Sequence, residues 1–227
     1  MSVLLAVPTI DKKIHAACML SIIKLKEILN INNIQLNIII ESGSLIGRVR
    51  NDIFYKFINS NNDYLLSIDS DISGFENSII SLIKQNNKNN QYLGITYVKK
   101  QDELKLNVNI LKNINESLEE IKENQGFLKV KHLPTGCSLL PKQTALNLVE
   151  KFKRRAYNDY LSEEIKYNLY DSFIFNNRLL SEDYGFSELI RQLEKSEIIC
   201  DCVTELKHHG DKIYKGSLVE YFLINNI

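Results

Sequence analysis

The stretch Tyr64-Leu65-Leu66-Ser67-Ile68-Asp69-Ser70-Asp71 is an apolar run that ends in two carboxylates separated by one residue. Short runs of aliphatic residues are typical of strands buried in a sheet. In an open α/β sheet, ligands bind outside the carboxyl ends of the strands. This strand would therefore deliver Asp69 and Asp71 to a binding crevice.

Strand-like and helix-like segments alternate along the first part of the chain. Ser2–Val7 and Gln35–Ile40 are apolar and rich in β-forming residues, whereas His15–Leu29 and Leu45–Ile58 have the apolar period of helices. This alternation predicts an α/β fold with a mainly parallel central sheet flanked by helices. No linker divides the 227 residues, so we expect a single domain over 1–227.

Further elements are predicted in the second half of the chain. Tyr92–Val98, Phe127–Leu133 and Gly136–Leu140 have strand character, and Asp183–Lys195 has helical character. The charged run Lys99–Glu123 is compatible with an antiparallel excursion or with a mobile insertion.

Composition disfavours two classes of partner. The 28 basic and 28 acidic residues balance, so we expect no nucleic-acid partner. No run approaches the ~18 apolar residues of a membrane span, and the start of the chain lacks the features of a secretion signal. We therefore expect a cytoplasmic protein, or one of the host cytoplasm if the chain is viral.

The carboxylates of Asp69 and Asp71 suggest a site for a divalent cation. Carboxylate oxygens suit Mg²⁺ or Mn²⁺, and these ions keep open positions for substrate phosphates. The alternative is a turn in which the aspartates cap nearby backbone groups. An Asp-x-Asp pair is a weak signal by itself, but its position after a buried strand favours the metal site.

A second pair of acids lies in Leu180–Phe186. Ser181 followed by Glu182 and Asp183 is typical of a helix N-terminus, where acids interact favourably with the helix dipole. The functional alternative is that one of these acids is a general base acting on a hydroxyl, for which Asp183 is the favoured candidate.

Basic residues and histidines provide further candidates. Arg48 and Arg50 are either solvated helix charges or bidentate contacts to a diphosphate. His208 and His209 are adjacent, so alternation along a strand would turn only one of them toward a metal. Neither the dinucleotide glycine fingerprint nor the P-loop is present.

Taken in order, these segments resemble the small GT-A glycosyltransferases of bacteria and large DNA viruses. The resemblance spans nearly the whole chain. It rests on Val7-Pro8-Thr9, Leu45-Ile46-x-Arg48-x-Arg50-Asn51, Ile68-Asp69-Ser70-Asp71-Ile72, Thr135–Leu140, Leu180–Phe186, His208-x-Gly210 and Tyr214-x-Gly216.

The resemblance implies a GT-A fold and a metal-dependent glycosyltransferase that uses Mn²⁺ or Mg²⁺. The donor would be a nucleotide-diphosphate sugar, with a uridine diphosphate sugar favoured, and the acceptor a hydroxyl of a glycan or another molecule. Transfer with inversion is the expectation. Retaining enzymes share the same fold, so retention stays an alternative.

The resemblance also implies roles for individual residues. The residues expected at the donor are Pro8 and Thr9 at the nucleobase, Arg50 and Asn51 at the nucleotide or diphosphate, and Arg48, Asp69 and Ser70 as further contacts. The metal ligands would be Asp69, Asp71 and His208, with His209 in reserve, and Asp183 would be the base beside Glu182. Cys137-Ser138 departs from the family pattern, and Lys99–Glu123 matches no part of it.

Two other functions fit the same residues. Leu65–Ser73 also resembles the opening motif of haloacid-dehalogenase-like phosphatases, in which Asp69 would be the nucleophile. That family places a further acidic pair late in the chain, and Gly210-Asp211-Lys212-Ile213 offers none. A nucleotide-sugar-binding module without catalysis is the non-enzymatic alternative.

Overall fold

A computed structural model of the chain describes residues 1–86, 91–159 and 163–225. The helices are α1 (Ala16–Ile31), α2 (Ile46–Ile58), α3 (Ile79–Gln85), α4 (Ile114–Glu123), α5 (Lys142–Lys151), α6 (Glu182–Arg191) and α7 (Leu218–Asn225), with a 3₁₀ turn at Lys153–Arg155. The strands are β1 (Ser2–Thr9), β2 (Gln35–Ser42), β3 (Tyr64–Ile68), β4 (Ile72–Ser73), β5 (Gln91–Ile95), β6 (Asn109–Ile110), β7 (Phe127–His132), β8 (Cys137–Pro141), β9 (Ala156–Asn158), β10 (Ile165–Tyr167), β11 (Phe173–Phe175), β12 (Arg178–Leu180), β13 (Glu197–Asp201), β14 (Leu206–His209) and β15 (Ile213–Gly216).

The central sheet has eight strands in the order β2-β1-β3-β8-β5-β13-β7-β6. Strand β1 pairs in parallel with β2 and β3, and β5 pairs in parallel with β13. Strand β8 lies antiparallel between β3 and β5, and β7 is antiparallel to β13. The expected α/β fold with a parallel core is therefore found, but the sheet is mixed. A strand buried on both faces has the same apolar sequence in either direction, so the direction of β8 was not visible.

The hydrophobic core covers both faces of this sheet. Along β1, Leu4 and Ala6 contact one cluster, whereas Val3, Leu5 and Val7 contact the other, as the alternation of side chains along a strand requires. Helices α2, α4, α5, α6 and α7 pack in the first cluster, and α1 and α3 pack in the second. Burial on both faces explains why β1 and β3 are continuous apolar runs.

The carboxyl ends of three strands meet at one edge of the sheet. Strands β1, β3 and β5 run in the same direction and end at Thr9, Ile68 and Ile95, and the antiparallel β8 begins beside them at Cys137. A smaller sheet of β4, β14 and β15 adjoins this edge, because β4 pairs with β14 through Ile72 and His208.

The bounds of several predicted elements change. The predicted helix Asp183–Lys195 begins one residue earlier and already ends at Arg191. The run Lys99–Glu123 contains a bridge between Val98 and Leu106, strand β6 and helix α4, so it folds onto the body of the protein. Across residues 1–86, 91–159 and 163–225, no helix is both long and apolar enough to cross a membrane.

Candidate functional site

A cleft of about 470 Å³, here called the edge cleft, opens at the carboxyl edge of the sheet. Most of the residues predicted from the sequence to form a site line it together. They are Pro8, Thr9, Arg50, Asp69, Ser70, Asp71, Glu182 and His208, and they are joined by Ile10, Ile46, Tyr97, Lys99, Lys100 and Asn107.

Asp69 is held from several sides. Its backbone N–H donates to the carbonyl of Gly136 at 2.9 Å, and Arg50 Nη2 donates to Asp69 Oδ1 at 2.8 Å. The hydroxyl of Tyr97 donates to Asp69 Oδ2 at 3.4 Å. A Cβ on Gly136 would lie 2.5 Å from both Asp69 Oδ2 and the Tyr97 oxygen, so a larger residue there would displace these two side chains. The carboxylate is therefore fixed before any ligand arrives.

Arg50 is a buried cation whose hydrogen-bonding capacity is only partly used. It is 5% exposed, and its Nε and Nη1 atoms have no hydrogen-bond partner within the described part of the chain. Burial lowers the pKa of Arg50, but its interactions with Asp69, Tyr97 and Glu182 raise it above the ordinary value. A buried donor without a partner costs about 1–3 kcal/mol, so the free protein carries an unrelieved cost at Arg50.

Asp71 lies between two basic side chains. Its Oδ2 atom is 2.5 Å from Lys100 Nζ and 3.6 Å from His208 Nε2. Burial raises the pKa of Asp71, but the contacts with His208 and Lys100 outweigh it and lower the pKa to about 2. Asp71 therefore carries a full negative charge at neutral pH.

The ring of His208 is oriented by a backbone carbonyl. Its Nδ1 lies 2.8 Å from the Val98 oxygen, which can only accept, so Nδ1–H is the donor and Nε2 is the ring nitrogen that faces Asp71. Metal-binding histidines are commonly oriented in this way. His209 points elsewhere: its Nε2 is 2.8 Å from Ser73 Oγ, and its ring stacks on His15. The alternation predicted for this strand is thus present.

The acids of α6 occupy different environments. Glu182 lines the edge cleft, and burial, together with the charge of Asp183, raises its pKa above the ordinary glutamate value. Asp183 is 8% exposed, and its Oδ1 accepts hydrogen bonds from Ser181 Oγ and from the Tyr184 backbone N–H. It lines neither the edge cleft nor the cleft beside it, so Glu182 is the acid that a ligand would meet.

The neighbouring cleft, here called the side cleft, has a volume of about 650 Å³ and shares Ile46 and Glu182 with the edge cleft. Arg48 lines this cleft and donates to Asp159 at 3.0 Å, so it lies away from Asp69. Its remaining lining includes Tyr157, Asn158, Asn168, Asp171 and Ser172.

Asn51 was expected to contact the nucleotide or the diphosphate, but its side chain is hydrogen bonded within the protein. Its Oδ1 accepts from the backbone N–H groups of Leu169 and Tyr170, and its Nδ2 donates to Asn168 Oδ1 at 3.0 Å and the Tyr170 carbonyl at 3.3 Å. These bonds fasten the loop after β10 to helix α2. Asn51 therefore shapes the side cleft and has little capacity left for a nucleotide.

Tyr97, Lys100 and Asn107 were not predicted as site residues. Tyr97 follows β5, so the carboxyl-end argument applied to Asp69 would have identified it too. Lys100 and Asn107 lie in the Lys99–Glu123 run, which the sequence left open between an antiparallel excursion and a mobile insertion. The contact of Lys100 with Asp71 and the hydrogen bond from the Asn107 backbone N–H to the Tyr97 carbonyl bring that run to the cleft.

The donor set fits a divalent cation only in part. Asp71 and His208 supply a carboxylate oxygen and an imidazole nitrogen, which suit Mn²⁺. Among the described residues, no group of three or more His, Cys, Asp or Glu side chains is arranged to hold a metal alone. Such a site would need oxygens from a substrate, as magnesium-type sites with few protein ligands commonly do.

Comparison with known proteins supports the fold. No protein-family model matches the chain, and no curated protein matches it in sequence. Among solved structures, A197 from STIV is similar, with a TM-score of 0.57 and 14% sequence identity over 97% of this chain and 92% of A197. At this identity the likeness shows a common fold, and the chemistry must be argued from the site.

The phosphatase alternative fits this geometry poorly. A nucleophilic aspartate needs an oxygen free to attack a phosphorus atom, whereas both oxygens of Asp69 are engaged by Arg50 and Tyr97. Asp211, which would have to supply a late acid, is exposed in the turn between β14 and β15 and does not line the edge cleft.

Proposed function

We propose that this protein is a metal-dependent glycosyltransferase that binds a nucleotide-diphosphate sugar, with a uridine diphosphate sugar favoured, in the edge cleft. The observation that carries the proposal is the buried guanidinium of Arg50 beside the acids of the cleft, with two nitrogens that have no hydrogen-bond partner among the described residues. A diphosphate carries the negative charge that such a buried cation attracts.

The same cleft offers a place for the cation. Asp71 and His208 would hold Mn²⁺ or Mg²⁺, with Asp69 nearby, and the ion would neutralise the charge that develops on the departing diphosphate. Lys100 contacts Asp71 in the free protein and would release it, becoming available to a phosphate oxygen. Pro8 and Thr9, at the end of β1, lie where the nucleoside would enter.

The acceptor hydroxyl would approach from the side cleft. Glu182 borders both clefts, so one carboxylate is within reach of a donor on one side and an acceptor on the other. Its raised pKa suits a group that must take up a proton during transfer. We propose that Glu182 accepts the proton of the attacking hydroxyl, and that attack from the face opposite the diphosphate inverts the anomeric centre.

Calorimetric titration with nucleotides and nucleotide sugars, with and without Mn²⁺, tests this function. We expect a nucleoside diphosphate to bind with an affinity that rises when Mn²⁺ is present and falls about tenfold or more in Asp71→Asn, since a charged metal contact is lost. Asp63→Asn is a matched control, because Asp63 lies beyond the opposite end of β3.

The outcomes separate the alternatives. If no nucleotide binds under either condition, the proposal fails. If nucleotide sugars bind tightly but are neither hydrolysed nor transferred to any acceptor in a panel, the non-catalytic binding module is the better description. Hydrolysis of simple phosphate esters that depends on Asp69 would instead support the phosphatase.

A further inference from the structure

A third cleft shares Lys99 with the edge cleft but none of the residues that the proposed function uses. It has a volume of about 1010 Å³ and is here called the basic cleft. Two of its walls are the hairpin of β11 and β12 and the helix α7, which contributes Leu218, Tyr221 and Phe222. It is the largest of the described clefts, and the proposed transfer reaction uses none of its walls.

The charge in this cleft is strongly biased. Four cations line it, namely Lys99, Lys105, Lys131 and Arg178, against the single carboxylate of Glu188. Glu188 contacts Arg191 and His132, each at 2.8 Å, and lies 4.0 Å from Lys131, one of the four cations. The exposed Glu103 pairs with Lys105, and the acids Glu116 and Glu119 of α4 line a neighbouring groove. The cleft itself is therefore electropositive although the whole chain is neutral.

Exposed aliphatic side chains lie on the same two elements. Ile174 and Leu179 form a cross-strand pair on the hairpin and are 74% and 75% exposed. Asn176 and Asn177, both with positive φ, form its two-residue turn, so the hairpin is short and well defined. Leu223 and Ile224 of helix α7 are also exposed, but they lie on sides of the helix that do not line the cleft. Apolar side chains next to basic ones are unfavourable in water and suit the interface of a lipid bilayer.

We infer that the β11–β12 hairpin and α7 dock on an anionic lipid bilayer, with a lipid phosphate taken into the basic cleft. The cations supply attraction to the anionic headgroups, and the exposed pair Ile174 and Leu179 inserts at the level of the acyl chains. This is attachment to the surface of a membrane, and it does not depend on whether the edge cleft transfers sugar.

The test is cosedimentation of the full chain with vesicles. We expect binding to vesicles of equal parts phosphatidylglycerol and phosphatidylcholine, little binding to phosphatidylcholine alone, and weaker binding as salt is raised. The charge-reversed variant Lys105→Glu/Arg178→Glu should bind about tenfold more weakly or worse. Ile174→Ser/Leu179→Ser should also weaken binding, since it removes the inserted side chains.

Matched controls lie on the other face of the sheet. Lys26→Glu/Lys84→Glu makes the same charge change on α1 and α3, and Ile31→Ser removes an exposed aliphatic residue from the end of α1. All of these positions are exposed or on turns, and circular dichroism will verify that each variant is folded.

Three results would overturn the inference. One is a wild-type protein that does not sediment with anionic vesicles, or sediments equally with neutral ones. Another is an equal loss of binding in the control variants. The third is binding of a dissolved short-chain phosphatidylglycerol without binding to vesicles, because that would indicate a soluble ligand of the cleft.

Discussion

Glu182 and Asp183 are neighbours in the sequence but meet different surroundings. Asp183 is buried and hydrogen bonded at the start of α6, while Glu182 faces both clefts. Resemblance to the glycosyltransferases favours Asp183 as the base, and the geometry favours Glu182. We expect Glu182→Gln to lower the transfer rate about a hundredfold or more, because a general base contributes on that order, while nucleotide affinity changes little.

Transfer kinetics of Glu182→Gln and Asp183→Asn, each compared with its nucleotide affinity, decide between the two acids. Ser187→Ala on the same helix is a suitable control for general disturbance of α6, since the Ser187 hydroxyl bonds to the backbone of Leu133 and lines neither the edge cleft nor the side cleft. A folded Asp183→Asn protein that loses transfer while Glu182→Gln keeps it would return the role to Asp183.

The raised pKa of Glu182 also predicts how stability depends on pH. Its charged form is disfavoured in the folded state, so the stabilisation that Glu182 provides is present below its unfolded pKa and is lost as pH rises through the raised folded pKa. In Glu182→Gln the side chain at this position carries no charge at any pH. We expect the variant to melt at a higher temperature than wild type at pH 7, and the difference to vanish below about pH 4.5.

Thermal unfolding followed by circular dichroism across that pH range is the measurement. A variant that melts lower than wild type at pH 7 would indicate that the contact between Glu182 and Arg50, 4.0 Å apart, outweighs the cost of burying the charge.

At the scale of elements, one side chain fastens a loop to a helix. The four hydrogen bonds of Asn51 connect α2 to residues 168–170. In Asn51→Ala the buried N–H of Tyr170 loses its partner, at about 1–3 kcal/mol, while the N–H of Leu169 keeps its hydrogen bond to the Tyr167 carbonyl. We expect unfolding in urea to show a loss of about 3 kcal/mol, with the nucleotide affinity of the folded protein nearly unchanged.

Asn59→Ala is the matched control, because Asn59 ends the same helix with one exposed hydrogen bond to Tyr55. It should cost less than about 1 kcal/mol. If Asn51→Ala lowers the free energy of unfolding no more than the control does, but abolishes nucleotide binding, then Asn51 contacts the ligand, as the resemblance to the glycosyltransferases implies.

The positions of many helices and strands could be predicted from the sequence, because the spacing of apolar residues is a local property. Strands at Ser2–Val7 and Tyr64–Ile68 and the helix at Leu45–Ile58 were placed to within two residues. Helix α4 was missed. Only Ser117 and Ile121 of its residues are buried, so its apolar stripe is too short to stand out from its charges.

At the scale of the whole molecule, Phe186 connects the site to the core. Its ring stacks on Tyr170 at 4.1 Å between centroids and meets the edge of Tyr92 at 5.3 Å. We expect Phe186→Ala to lower the free energy of unfolding by about 3–5 kcal/mol, since it leaves a large cavity in the main cluster. Equilibrium unfolding in urea measures this loss.

Leu146→Ala, at a half-exposed position of α5, should change stability by less than about 0.5 kcal/mol. If the two variants lose similar amounts of unfolding free energy, the contacts around Phe186 do not make a special contribution to the stability of the core. Unfolding of the two clusters in separate steps would show that the faces of the sheet are not one cooperative unit.

The sequence by itself determined the α/β class and the strand that carries Asp69 and Asp71 to a carboxyl edge of the sheet, while the resemblance to the glycosyltransferases implied Pro8, Thr9, Arg50 and His208 as their neighbours. The class and the strand follow from local apolar period and from the rule that ligands bind at the carboxyl ends of strands. Only the tertiary structure decided that β8 is antiparallel to its neighbours and that Lys100 and Tyr97 line the cleft. It also decided that Asn51 attaches a loop to α2, and that Glu182 rather than Asp183 faces the clefts. Each of these depends on contacts between residues far apart in the chain, and packing selects such contacts after the local elements exist.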